Sequence, residues 1–135
     1  MLVFNSTAIC SSCLTGTFQT NYNTARYCAL CTVCERVIKN YWLARTVQTC
    51  TSVSDTTCGC GEGFHLQKVV GSADDWVCVE NTECGPGFEV AIPATNNNDT
   101  VCHHCKNGFY KNSSSPELCR ECSTCSNRTY PSNPC

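Results

Sequence analysis

No segment of the chain carries a sustained helical stripe of apolar residues. Outside the cysteines the hydrophobic residues are spread thinly, and the pattern predicts short strand pairs joined by turns, with almost no helix. No run approaches the roughly 18 apolar residues that a membrane-spanning helix needs. With 135 residues there is room for one globular domain or for several very small ones. A chain patterned like this cannot rely on a single large core.

Composition supplies what the pattern withholds. Sixteen residues are cysteine, the range of a disulfide scaffold rather than a globular enzyme. An even count in a loop-rich sequence predicts an oxidised, secreted context, in which cross-links replace burial. The net charge of −2, with no concentrated basic face, predicts no nucleic-acid partner. The start, "MLVFNSTAIC", lacks a charged region and has only a short apolar stretch, so it is not expected to be a signal peptide. The chain reads instead as a mature or excised piece with Met1 added or renumbered. Four sequons, at Asn5, Asn98, Asn112 and Asn127, fit the same compartment.

The chain repeats itself. Cys13-Leu-Thr-Gly16-Thr-Phe18, Cys60-Gly-Glu-Gly63-Phe64 and Cys105-Lys-Asn-Gly108-Phe109 open alike. A glycine at that place can take a positive φ and turn the chain, and the aromatic can cover a disulfide. Asp55-Thr-Thr-Cys58 and Asp99-Thr-Val-Cys102 close alike, with a side-chain oxygen available to cap a turn. Cys58 and Cys60 are too close to bridge each other without strain. Cys58 therefore closes one module and Cys60 opens the next, as Cys102 and Cys105 do further on. Cys10 and Cys13 form a third such junction, giving 1–12 as the end of a truncated module, then modules at 13–58, 60–102 and, in part, 105–135.

Spacing alone cannot choose among the connectivities open to six cysteines. The order C-x14-C-x2-C-x2-C-x15-C-x7-C from Cys13 to Cys58, with Gly-Thr-Phe early and Asp-Thr-Thr late, closely resembles the cysteine-rich domain of the tumour necrosis factor receptor superfamily. The resemblance implies a small disulfide-rich fold, an elongated array of such modules. It implies the pairs Cys13–Cys28, Cys31–Cys50 and Cys34–Cys58. In the second module Asn81 stands where the third cysteine would be and the fifth is missing, which leaves Cys60–Cys78 and Cys84–Cys102. The same rule gives Cys105–Cys119 and Cys122–Cys135, with Cys10 and Cys125 lacking partners. Each closed loop of about 15 residues contributes on the order of 3 kcal/mol on an entropic account.

Other chemistries fit the residues less well. Six Cys-x-x-Cys pairs, "CHHC" at 102–105 above all, suggest zinc, but overlapping runs such as Cys28-x-x-Cys31-x-x-Cys34 do not divide into four-ligand knuckles. Catalysis would need a free cysteine near a histidine or paired carboxylates in a pocket; Asp74-Asp75 has neither partner nor interior, so no enzyme, cofactor or metal is expected. A Cys-x-x-Cys-rich surface antigen or adhesion protein would share the scaffold without the Asp-Thr-x-Cys closings. His103 and His104 are expected to face solvent in a hinge between modules.

A ladder of disulfides is a presentation scaffold, whose function lies in the side chains it holds outward. The resemblance implies an extracellular receptor ectodomain or a soluble decoy. Its partner would be a trimeric ligand of the tumour necrosis factor type, with three chains per trimer and no membrane contact by this piece. Contacts are expected in "ADDWVCVE", from Asp74, Asp75, Trp76 and Glu80, unless Trp76 instead covers Cys60–Cys78. The main contact is expected in "ERVIKNYWLARTVQT", between Cys34 and Cys50, from Ile38, Tyr41, Trp42, Leu43 and Arg45. Read as an extended loop, Tyr41-Trp42-Leu43 cannot all point to one side, so at least one should be exposed.

Overall fold

The computed structural model describes residues 10–20 and 27–123. Its regular structure is short strands in two-stranded sheets: β1 (Thr17–Phe18) with β2 (Ala29–Leu30), β3 (Ala44–Gln48) with β4 (Thr57–Cys60), β5 (Phe64–Lys68) with β6 (Trp76–Glu80), β7 (Phe88–Ile92) with β8 (Val101–His104), and β9 (Phe109–Tyr110) with β10 (Arg120–Glu121). One helical turn, α1 (Cys34–Val37), and one 3-10 turn (Tyr41–Leu43) complete the described elements.

The repeat in sequence is a repeat in geometry. Gly16, Gly63 and Gly108 have φ of +88°, +83° and +88°, and a Cβ at any of them would meet nothing within 4 Å, so glycine is there for its backbone and not for space. Each turns the chain into a strand, β1, β5 or β9. The second kind of hairpin also recurs in register. Thr46 lies opposite Cys58 and Val90 opposite Cys102, each followed by a bulge before the next pair. Four residues further on stand Cys50 in the first hairpin and Ala94 in the second, so Asn81 and Ala94 occupy the places of a lost bridge.

Six bridges lie among the described residues: Cys13–Cys28, Cys31–Cys50, Cys34–Cys58, Cys60–Cys78, Cys84–Cys102 and Cys105–Cys119. Cys58 and Cys60 do look in opposite directions along the chain, to Cys34 and Cys78. Cys10 is exposed and unpaired. Cys122–Cys135 and Cys125 involve positions outside the described residues.

Two compact units divide the chain, Met1–Val79 and Glu80–Cys135. The first has a small core of Cys34, Ile38, Ala44, Leu66 and Cys78, flanked by Val37, Leu43, Cys58, Cys60, Phe64 and Trp76. This unit takes in β5 and most of β6, beyond the Cys58 boundary drawn from the cysteine register. The reason is Ile38, which is buried with Leu66 and Cys78 as well as with Cys34. In the second unit the buried side chains among the described residues are Cys84 and Lys111. The Lys111 ammonium donates to the carbonyls of Cys84, at 2.8 Å, and Ser115.

The Asp-Thr closings do more than cap a local turn. Asp55 accepts hydrogen bonds from the Thr32 amide (2.7 Å), the Thr32 hydroxyl (2.6 Å) and the Thr56 amide (2.7 Å). Asp99 accepts from the Thr82 amide (2.7 Å), the Thr82 hydroxyl (2.6 Å) and the Thr100 amide (2.7 Å). The same clasp therefore closes both loops, once beside a disulfide and once where that disulfide is missing.

Candidate ligand-binding surface

The loop between Cys34 and Cys50 is held along its first half as well as at its ends. After α1, Ile38 makes an isolated parallel bridge with Trp76, and the Lys39 amide donates to the Trp76 carbonyl at 2.8 Å. The Asn40 amide group then grips the backbone of Cys78 both ways: its Nδ2 donates to the Cys78 carbonyl and its Oδ1 accepts from the Cys78 amide, each at 2.8 Å. Beyond the 3-10 turn, the Gly61 amide donates to the Leu43 carbonyl at 2.8 Å. Sequence offers no signal for the Asn40 grip, because it joins residues 38 apart in the chain.

The 3-10 turn replaces the extended loop expected from the sequence, and it changes how the side chains sort. At about three residues per turn, successive side chains point roughly 120° apart. Leu43 turns onto the core, while Tyr41 and Trp42 stay 60% and 65% exposed. Their rings meet edge to face at 5.5 Å. Two large apolar side chains are thus held outward on a backbone fixed from several sides.

The other candidate residues fare differently. Ile38 is 2% exposed in the core, out of reach of any partner in this structure, and it leaves the contact set. Arg45 is exposed on β3, and its guanidinium folds back onto the carbonyls of Ala44 (2.7 Å) and Trp42 (3.3 Å). Asp74 is exposed. Asp75 pairs with Lys39 at 3.0 Å and accepts from the Ser72 hydroxyl at 2.9 Å. The Lys39 bond, then the Ser72 bond, holds its carboxyl below the ordinary range. Trp76 is half-buried against the core, with the Lys68 ammonium 5.7 Å from its ring centre, and it counts with the packing. Glu80 is exposed at the end of β6 and falls in the second unit.

Metal ligation finds no footing at the two most tempting places. In "CHHC" both cysteines are bridged, to Cys84 and Cys119. His103 pairs with Glu89 at 3.0 Å, and His104 lies against the Phe88 ring with centres 4.3 Å apart, so the two histidines expected to face solvent are engaged as well as exposed. Glu89 also accepts from the Cys119 amide at 2.9 Å; that bond first, and His103 second, keeps its carboxyl below the usual range. Cys31, Cys50 and Asp55 come within 4.8 Å of one another, but the two sulfurs are joined and the carboxylate is taken up by Thr32 and Thr56. Among the sequons, Asn98 and Asn112 are exposed, and Asn5 and Asn127 lie outside the described residues. Among the described residues no helix is long and apolar enough to cross a membrane.

Residues 13–58 match the family model described as "TNFR/NGFR cysteine-rich region". The chain is 38% identical over 120 residues to tumor necrosis factor receptor superfamily member 5 of Mus musculus, a match covering 88% of this chain and 39% of that relative. It is 29% identical to member 11B of Bos taurus, over 87% of this chain and 27% of that relative. The chain thus spans well under half the length of these relatives. Among solved structures it is similar to a chain of the mouse RANKL–OPG complex, with a TM-score of 0.62 and 25% identity over 84% of this chain and 76% of that one. A chain of the human RANKL/OPG complex gives 0.60 and 27%, over 84% and 62%.

Proposed function

Since this chain carries the cysteine-rich domains of the tumour necrosis factor receptor superfamily, we propose that it is the ligand-binding part of an extracellular member, a receptor ectodomain or a soluble decoy. Its partner is a trimeric cytokine of the tumour necrosis factor type, engaged by three receptor chains. The modules at 13–58, 60–102 and 105–135 are the units of presentation. Asn98 and Asn112 are the described positions open to glycosylation, and no catalytic step is assigned to any residue.

One observation carries the choice of contact surface: Tyr41 and Trp42 stand 60% and 65% exposed on a turn whose backbone is fixed by disulfides and by hydrogen bonds to Trp76, Cys78 and Gly61. Aromatic residues dominate binding hot spots, and a loop ordered beforehand loses little entropy on association. The similarity to chains solved in RANKL–OPG complexes supports a ligand of that class. Arg45 borders the aromatic pair, and Asp74 is a second, polar contact.

The test is surface-plasmon-resonance binding to a panel of recombinant tumour-necrosis-factor-family trimers that includes RANKL. Wild type is expected to capture at least one. Trp42→Ala and Tyr41→Ala should each weaken that capture by about 30-fold or more, the equivalent of roughly 2 kcal/mol. Affinities for all captured trimers within about twofold of wild type in both variants would remove this turn from the binding surface.

A further inference from the structure

We infer that Asn40 is the positioning residue of this binding surface, registering the Tyr41-Trp42 turn on β6 through its two-way grip on Cys78. The inference rests on the function proposed above and assigns a role to a side chain that need not touch ligand at all.

Asn40 immediately precedes the aromatic turn, and its own carbonyl accepts the Leu43 amide at 2.9 Å, closing that turn. Its side chain meets Cys78 with a donor and an acceptor at once, at 2.8 Å each, as a neighbouring strand would. Only an amide offers that pair in one short, planar, uncharged group at neutral pH. Cys78 is a firm anchor, 5% exposed in the core and bridged to Cys60. The grip thus ties the turn to the hairpin that follows the Cys34–Cys58 bridge. The disulfides at Cys34 and Cys50 fix where the loop starts and ends; they leave the rotation of residues 39–43 free. The Lys39 amide's bond to Trp76, the Ile38 bridge, the Gly61 amide's bond to Leu43 and the Asn40 grip set that rotation; of these hydrogen bonds the grip alone is made by a side chain, so it can be edited without altering the backbone.

Substitution by aspartate gives a reversible version of the edit. At neutral pH the carboxylate introduced by Asn40→Asp can accept from the Cys78 amide but sets a second, negative oxygen against the Cys78 carbonyl. As pH falls through about 4, an ordinary aspartate takes up a proton and becomes the donor–acceptor pair that the amide was. The titratable groups around the grip are Lys39, its neighbour in the chain, which pairs with Asp75 just before β6, and His65, buried on β5, the partner strand of β6. Wild type at each pH serves as the reference for every group the two chains share.

The experiment compares the full wild-type chain and Asn40→Asp, both with bridges verified by non-reducing peptide mapping, at pH 7 and pH 4. Hydrogen exchange is read in residues 38–43, and affinity is read for the panel trimer that wild type captures, RANKL among the panel. At pH 7 the variant is expected to lose about tenfold in both protection and affinity, the scale of one or two net hydrogen bonds. At pH 4 both ratios to wild type should return to within about threefold. Affinity unchanged at pH 7, or a loss that persists undiminished at pH 4, overturns the positioning role. Should Asn40→Asp fail to form its bridges, Asn40→Ala replaces it; its losses must be of similar size and must not vary with pH, and no loss overturns the inference. Trp42→Ala separates the two proposals: if it binds like wild type, the surface assignment has failed. If it weakens binding while Asn40→Asp does not, only the positioning role has failed. If wild type captures no trimer, the proposed function fails and the exchange ratios alone decide, unchanged protection in residues 38–43 overturning the inference.

Discussion

Removal of the Asp99 carboxylate measures what closes a module that has lost a disulfide. Asp99→Ala deletes three hydrogen bonds, from the Thr82 amide and hydroxyl and from the Thr100 amide. Bonds to a charged acceptor contribute about 1.5–3 kcal/mol each where solvent is excluded. Thr82 is exposed and Asp99 and Thr100 are half-buried, so water replaces part of each bond and about 1 kcal/mol apiece is the appropriate scale. The expected loss is therefore roughly 2–3 kcal/mol, which is about 30- to 150-fold in the opening equilibrium of β7 and β8. Asp99→Asn keeps the carbonyl-type oxygen that receives both amides, and the Thr82 hydroxyl can rotate to accept from the new NH2, so it should cost less than about 1 kcal/mol. Asp55→Ala removes the matching clasp, but Cys31–Cys50 still closes that loop, and opening of β3 and β4 should rise far less. Hydrogen exchange resolved to the two hairpins is the assay. The reasoning is refuted if Asp99→Ala leaves β7–β8 exchange within about threefold of wild type, or if Asp55→Ala opens β3–β4 as much as Asp99→Ala opens β7–β8.

Two further outcomes follow from the same geometry. Burial pushes the Asp55 carboxyl up, but the bonds from Thr32 and Thr56 outweigh it and hold the group below its ordinary 3.8. The clasp should then be fully present above pH 3.8 and fade only as pH drops through the lower, folded-state value; β3–β4 exchange that loosens between about pH 6 and 5 would contradict this. Trp76→Ala removes a ring packed on the core and should lower thermal stability by about 2 kcal/mol or more, judged by calorimetry; unchanged stability with weakened trimer capture would return Trp76 to the contact surface.

The cysteine framework was legible because it is written in spacing: three Gly-aromatic openings and two Asp-Thr closings locate the modules, and the positive φ at Gly16, Gly63 and Gly108 is the reason the openings recur. The clasp was half legible. Its aspartates stood out, but Thr32 and Thr82, one place after Cys31 and Asn81, become meaningful only once the loop closes over them. Ile38 was misread because a lone apolar residue in a polar loop carries no period that says inward or outward; burial against Leu66 and Cys78, both beyond the module boundary, decides it. Tyr41, Trp42 and Leu43 were read together, with at least one expected outward; Tyr41 and Trp42 are exposed and Leu43 is not, for a reason that the 3-10 turn supplies and the extended-loop reading did not. Asn40 was invisible for the same cause as Ile38: its partner is a backbone 38 residues away.

The central claim is that the aromatic turn binds a trimeric cytokine with three chains to each trimer. Size-exclusion chromatography with light scattering, on wild type and Trp42→Ala mixed with the panel trimer that wild type captures, tests it most directly. Wild type should shift to the mass of one trimer plus three chains, while correctly bridged Trp42→Ala at the same concentrations elutes largely unbound. A wild-type complex of any other stoichiometry, or a Trp42→Ala complex as complete and as tight as the wild type's, would contradict it.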